Sequence, residues 1–290
     1  MKKILKRLLK NPISLTGIIL LIIFIVVAIL APLLAPPRDP GNPYQIPRRG
    51  WALEPSGPTS QYIFGLTQGS YDIYYGIIWG TRTAFRVGLI IVLFSALIGI
   101  TLGSISAYYG GILDEFLMRF TDIFMSFPTI IFAVIFTVIF GIGLNSVMIA
   151  LILFGWMSYA RLIRGNILAA KREEYVLAAR AIGVSDFKII TRHILPNTIF
   201  PVLIQASMSL GSVVITASAM SFLGLGAPEG FADWGQMVNF ARNWMLGEQK
   251  DVLKYWFTVI YPGAAIVLFV LAWNLVGDAL RDIMDPKLQA

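Results

Sequence analysis

Six apolar runs recur along the chain, each close to the roughly 20 residues that a helix needs to cross the hydrocarbon core of a bilayer. They extend approximately over Ser14 to Ala35, Phe85 to Tyr108, Phe120 to Ile142, Asn145 to Ala169, Thr198 to Phe222 and Trp256 to Leu280. The runs are continuous, without the alternation of barrel strands, and inside lipid such a segment satisfies its own backbone only as a helix. Composition agrees: 57% of the 290 residues are hydrophobic and 13% are charged, against roughly 25% charged in soluble domains. The expected fold is therefore all-α, a polytopic membrane protein with six transmembrane helices embedded in a lipid bilayer.

Six spans put both termini on one side, with the connections near residues 109–119 and 170–197. That side holds Lys2, Lys3, Lys6, Arg7, Lys10, Arg119, Arg161, Arg164, Lys171, Arg172, Arg180, Lys188, Arg192, Arg281 and Lys287; the remaining eight of 23 Lys and Arg lie opposite. Lys and Arg are enriched in cytoplasmic loops, so both termini are expected in the cytoplasm. The same bias accounts for the formal charge of +7, and no nucleic-acid partner is expected. A basic start followed by an apolar run resembles a secretory signal. Here the run exceeds the roughly 7–15 apolar residues of a signal and ends in Ala31-Pro32 and Ala35-Pro36-Pro37, so it reads as a retained first span.

Pro36 to Ile63 is rich in Pro and Gly, lacks helical periodicity and reads as an external loop. The chain divides accordingly into a basic N-terminus with the first span (1–35), an extracytoplasmic loop (36–84) and a five-helix core (85–290). No cysteine is present, and the single histidine, His193, has no second ligand nearby; no metal and no cofactor are expected.

Between the fourth and fifth runs lies a polar island, Glu174 to Asn197, reading EYVLAARAIGVSDFKIITRHILPN. Tyr175 to Ile182 contains good helix formers, and Gly183 suits the left-handed position that ends a helix. Ser185 suits an N-cap, and Asp186 suits the positive end of a second short helix through Phe187, Ile190 and Ile194. Leu195-Pro196-Asn197 is expected to stop that helix and start span five. Two short helices meeting at a glycine, with Arg180, Lys188 and Arg192 toward solvent, make a compact cytoplasmic knob.

The island resembles the coupling motif of permease subunits in ATP-binding-cassette importers: Glu-Ala-Ala, three residues, Gly, nine residues, Ile, one residue, Leu-Pro. Ala178, Ala179, Gly183, Leu195 and Pro196 fall in register, while Leu177 stands in place of Glu and His193 in place of Ile. Those departures, with Glu174 and the ending RHILPN, resemble the branch importing di- and oligopeptides and, in some members, nickel or oligosaccharides. AYYGGILDEFLMRFTDIFMSFP, GWMSYARLIRGNIL, SFLGLGAPEGFADWGQM and NLVGDALRDIMDPKL look like that branch's C-type permease, in the same order. One stretch departs. Where the family has Gly-Thr-Asp, two residues, Gly-Arg-Asp, this chain reads Gly65-Leu66-Thr67-Gln68-Gly69-Ser70-Tyr71-Asp72.

The resemblance implies a type I importer fold in the cell membrane. It also implies two cytoplasmic P-loop ATPase subunits, a second, non-identical permease subunit and an extracytoplasmic substrate-binding protein. The chain itself has no GxxxxGK[ST] to cradle phosphates, so it is expected to be a translocation subunit and not an ATPase. The expected ATPase joint comprises Glu174, Ala178, Ala179, Arg180, Gly183, Leu195 and Pro196. The cargo is expected to be a di- or oligopeptide, with oligosaccharides and nickel as alternatives. An ion-coupled secondary transporter is the reading from another class; acids deep in the spans, which it would want, are nearly absent.

Span five carries Gln205, Ser207, Ser209, Ser212, Thr216, Ser218 and Ser221, hydroxyls and an amide that either line a path or bond to the helix backbone and neighbouring helices. Gln205, Ser209, Ser212 and Thr216 are the candidates for the path. Gly99 and Gly103 form a GxxxG, read as a packing seam. Arg119 and Asp122, one turn apart, either mark a pathway or anchor a helix at the interface. Trp234 and Trp244 serve either as interfacial anchors or as part of the binding-protein contact.

Overall fold

A computed structural model describes residues 11–246 and 253–284. Lys2, Lys3, Lys6, Arg7, Lys10 and Lys287, which contribute to the expected orientation, lie outside the described residues. Helix α1, Pro12–Leu34, starts where Asn11 caps it, its side-chain oxygen accepting from the Ile13 N–H at 3.0 Å with proline in the first turn. Large apolar side chains of α1 point outward along its length, Ile29 and Leu33 being 65% and 77% exposed, as on a helix surrounded by lipid.

Helix α2, Ile73–Tyr109, begins well ahead of the expected Phe85. Asp72 caps it by accepting from the Tyr75 N–H at 3.2 Å, and Arg49 donates to the same carboxylate at 3.2 Å. The apolar run is hidden at this end because Thr81, Arg82 and Thr83 interrupt it. All three are satisfied inside the protein: Arg82 donates to the Ala28 carbonyl at 2.7 Å, Thr83 to Ala232 at 2.8 Å and Thr81 to Ile77 at 3.0 Å.

The third expected span is not one straight helix. Helix α3, Gly111–Met125, and helix α4, Thr129–Phe140, meet at 87°. Pro128 sits at the corner; it lacks an N–H and disfavours helical backbone at Phe127, so the ladder cannot run through. The reversal from α2 into α3 uses Gly110 and Gly111, both left-handed with φ of 69° and 61°. Helix α5 spans Leu144–Ala170, α6 Glu174–Ala181, α7 Phe200–Phe222, α8 Trp234–Leu246 and α9 Phe257–Met284. The longer runs lie close to the expected spans.

The bundle is organised by small residues that let backbones approach. A Cβ built on Gly99 would lie 2.5 Å from the Trp156 carbonyl oxygen, and one on Gly103 would lie 2.4 Å from that of Ala160. Gly99 and Gly103 therefore form a seam between α2 and α5. Gly277 of α9 makes a similar approach to Met208 and Gly17 joins α1 to α9 at Leu275, while Gly211 of α7 lies less tightly against Val270, at 3.2 Å.

At the outer end, residues 36–72 are ordered against the segment before α8. Ile46 N–H donates to Gly230 at 2.7 Å, Ala232 N–H to Tyr44 at 2.7 Å, and Tyr44 stacks on Phe231 at 5.5 Å. Among the described residues these contacts form isolated bridges, not strands. Trp234 is neither an exposed anchor nor a partner contact: it is 2% exposed, its indole N–H donates to the Ile77 carbonyl at 3.2 Å, and its ring packs on Phe269. Trp244 donates to the Gln68 side chain at 3.0 Å.

Replacing Gly103 by valine should lower the thermal midpoint of the detergent-purified protein by an overpacking cost on the order of 1–3 kcal/mol. Gly165→Ala, where a Cβ meets nothing within 4 Å, should leave it unchanged or raise it slightly, since alanine is the better helix former. Equal midpoints would remove the seam from the folding argument.

Candidate functional site

The polar island folds into a knob at the inner end of α5 and α7, opposite the ordered outer loop. Helix α6 closes in a Schellman motif: the Val184 N–H donates to the Ala179 carbonyl at 3.1 Å and the Gly183 N–H to Arg180 at 3.0 Å. Gly183 holds φ of 81°, and a Cβ placed there would meet nothing within 4 Å. Its requirement is thus conformational, set by the left-handed backbone and not by crowding.

The second arm differs from expectation at two points. Ser185 stands at the N-cap, yet its side chain makes no capping bond; the Asp186 carboxylate instead accepts from the Tyr108 hydroxyl at 2.5 Å. Leu195-Pro196-Asn197 does not stop the helix. The backbone stays helical from Asp186 through a π-helical stretch, Ile189–Ile194, into Leu195–Thr198. A wider π turn accommodates the missing N–H and the ring of Pro196, and Asn197 donates its amide to the His193 carbonyl at 2.8 Å.

The knob has two faces. Val176, Ala179, Ile189 and Ile194 are buried against Tyr159, Ile163 and Ile167 of α5 and Ala107 and Tyr108 of α2. Each fully buried aliphatic contributes roughly 1.5–3 kcal/mol, enough to fix the knob to the bundle. On the other face Ile182 is 80%, Phe187 75% and Leu177 51% exposed, beside Glu174, Ala178 and Gly183, which are also exposed. Of the residues assigned to the joint, Ala179 therefore packs inward, Leu195 is half-buried and Pro196 is exposed. Arg180 is exposed, with its guanidinium donating to the Tyr108 hydroxyl at 3.3 Å. That bond, with the Asp186 carboxylate behind it, pushes the Arg180 pKa up.

Span-five polar groups sort by helical face. Gln205, Ser209, Ser212 and Thr216 line one cavity of about 370 Å³, with Ser95 of α2, Thr129 of α4 and Ser158 and Tyr159 of α5. Ser207, Ser218 and Ser221 are buried on the packing face, Ser207 near Gly277 and Ser218 near Gly235. Hydroxyls on the cavity face also bond locally, Ser212 to the Ser209 carbonyl and Thr216 to the Ser212 carbonyl, each at 3.0 Å. The lining contains no formally charged side chain.

Arg119 and Asp122 do not pair with each other. Arg119 meets Glu115 at 3.5 Å, Asp122 pairs with Arg161 of α5, and Asp114 holds Arg164 through two bonds of 2.6 and 2.7 Å. The Asp122–Arg161 and Asp114–Arg164 pairs fasten α3 to α5, while Arg119–Glu115 stays within α3. Among the described residues no group of three or more His, Asp or Glu is placed to hold a metal ion. Sequence reading missed Tyr108 and the exposed set Leu177, Ile182 and Phe187; in an amphipathic stretch the alternation alone does not say which apolar residues face a partner.

A membrane-spanning helical bundle with an uncharged cavity that carries hydroxyls and one amide, and a knob with an exposed apolar face, has the architecture of a translocation subunit. The chain belongs to the family of binding-protein-dependent transport system inner membrane components, which matches residues 99–290. The N-terminal TM domain of oligopeptide transport permease C matches residues 1–49. It is 40% identical over 234 residues to the glutathione transport system permease protein GsiD of Pectobacterium atrosepticum, covering 81% of this chain and 75% of the relative. It is 35% identical, with the same coverage, to the dipeptide transport system permease protein DppC of Alkalihalophilus pseudofirmus. Its fold is similar to a chain of the inward-facing MetNI methionine ABC transporter, with a TM-score of 0.58 at 19% identity over 73% of this chain and 97% of that one.

Gly183→Val should abolish import while membrane insertion persists, and Gly183→Asn, which tolerates the left-handed region, should retain most of it. Import by right-side-out vesicles against membrane yield measures both. Equal activity of the valine and asparagine variants would contradict a conformational role.

Proposed function

We propose that this chain is a translocation subunit for di- and oligopeptides, working beside a second, non-identical permease, two cytoplasmic P-loop ATPases and an extracytoplasmic binding protein. The exposed apolar face of the knob carries this reading. Leu177, Ile182 and Phe187 face water on the side expected to be cytoplasmic, where large exposed apolar side chains mark a protein partner. Burying them would contribute roughly 1.5–3 kcal/mol each to seating an ATPase. Glu174, Ala178, Gly183 and Pro196 border that face, and Gly183 sets the angle between its two arms.

Residues 1–35, 36–84 and 85–290 then serve as anchor, outer docking region and permease core, although α2 already begins inside the second of these. Gln205, Ser209, Ser212 and Thr216 form one wall of the path. A wall of hydroxyls and one amide offers hydrogen bonds without charge, which suits peptide amides better than a bare divalent cation. Its volume of about 370 Å³ lies within the roughly 300–1,000 Å³ typical of small-molecule sites. The relatives named for glutathione and dipeptide transport favour the same cargo class.

In proteoliposomes containing the assembled complex, labelled dipeptide or glutathione should accumulate only with ATP and binding protein. Leu177→Asp should cut co-purification of the ATPase at least about tenfold, since it removes a buried apolar contact and buries a charge. Full uptake without any ATPase would refute the proposal.

A further inference from the structure

We infer that Tyr108, at the inner end of α2, is a positioning residue that carries displacement of the knob into the spans; the inference rests on the coupling role proposed above. The residue is 4% exposed, yet it is the meeting point of polar contacts from three directions. The hydroxyl donates to Asp186 of the second arm at 2.5 Å and accepts from Arg180 of α6 at 3.3 Å. Lys171, just past α5, donates to the Ala107 carbonyl at 3.1 Å and to the Tyr108 carbonyl, and its ammonium stands 5.5 Å from the Tyr108 ring. The Arg180 guanidinium stands 5.6 Å from the same ring.

These contacts differ in kind from the apolar packing around them. Val176, Ile189 and Ile194 hold the knob against the bundle, but apolar burial is non-directional and permits the knob to slide or rotate. Hydrogen bonds to one hydroxyl fix its orientation. Lys171 occupies carbonyls that the end of α2 leaves without helical partners, so the end of that helix is tied to α5 as well. Both arms of the knob thus bear on the end of α2, the helix whose glycine seam grips α5 and whose Ile91, Val92 and Ser95 line the cavity. A push on the knob has a directional route to the cavity wall through Tyr108.

The test uses the chain assembled with its partner permease, ATPases and binding protein in proteoliposomes, reading peptide imported per ATP hydrolysed. Tyr108→Phe keeps the ring and removes the hydroxyl. It should lower import per ATP at least about tenfold, the lower end for one hydrogen bond to a charged acceptor, with assembly, ATPase rate and thermal midpoint near wild type. Asp186→Ala should do the same, Asp186→Asn should retain most coupling because it keeps an acceptor oxygen, and the Tyr108→Phe/Asp186→Ala double variant should be no worse than either single one. Wild-type import per ATP in Tyr108→Phe, or losses that multiply in the double variant, would overturn the inference. Loss of assembly in both Tyr108→Phe and Asp186→Asn would overturn it too, by making the bond structural. Leu177→Asp run in parallel separates the failures: if it disrupts coupling while Tyr108→Phe does not, only the role of Tyr108 falls.

Discussion

The close approach of α2 and α5 at Gly99 and Gly103 is the contact on which the rest of the structure depends. With backbone and Cβ atoms of α5 within 2.5 Å of where a Cβ would stand, no other residue fits without moving a helix. The two helices therefore act as one body. The outer half of α2 meets the end of α1 and the segment before α8 through Trp79 and Thr83, the middles of both helices supply two walls of the cavity, and their inner ends hold the knob. In lipid, where apolar side chains gain nothing by leaving the solvent, such backbone proximity supplies the packing that water would otherwise enforce.

Polar groups within the membrane core are placed by the same economy. The two faces of α7 show the rule most clearly: residues spaced by three or four positions, Gln205, Ser209, Ser212 and Thr216, open on the cavity, while Ser207, Ser218 and Ser221 pack against neighbours. Near the inner end Asp114 and Arg164 neutralise each other and brace α3 against α5, and toward the outer end Arg82 of α2 is held by the Ala28 carbonyl. The bend at Pro128 brings Thr129 and Ile130 to the cavity, which a straight span would have carried past it. An uncharged cavity at mid-bundle and a knob held by both apolar and directional contacts at the inner end are thus joined by the same two helices.

The apolar runs made five of the long helices legible, because in a bilayer hydropathy and length decide the matter almost alone. They failed at Thr81 to Thr83, where tertiary hydrogen bonds satisfy polar groups that look unfit for a span. They failed again at Pro128, whose effect is local and was averaged away by the flanking isoleucines and phenylalanines. In the knob, Gly183 was readable because left-handed backbone has few tolerant residues. The continuation through Pro196 was not, since a π turn leaves no compositional mark. Nor was the bond from Arg180 to Tyr108, because the two residues are distant in sequence.

The chain has no cysteine, so a single introduced thiol reports its neighbourhood without background. The most direct measurement is site-specific cross-linking from Ile182→Cys, Phe187→Cys and Val176→Cys in the assembled transporter. If the exposed face of the knob is the ATPase joint, Ile182→Cys and Phe187→Cys will cross-link to the ATPase subunit and the buried Val176→Cys will not. Absence of any ATPase adduct from Ile182→Cys and Phe187→Cys in a complex that still imports peptide would contradict it.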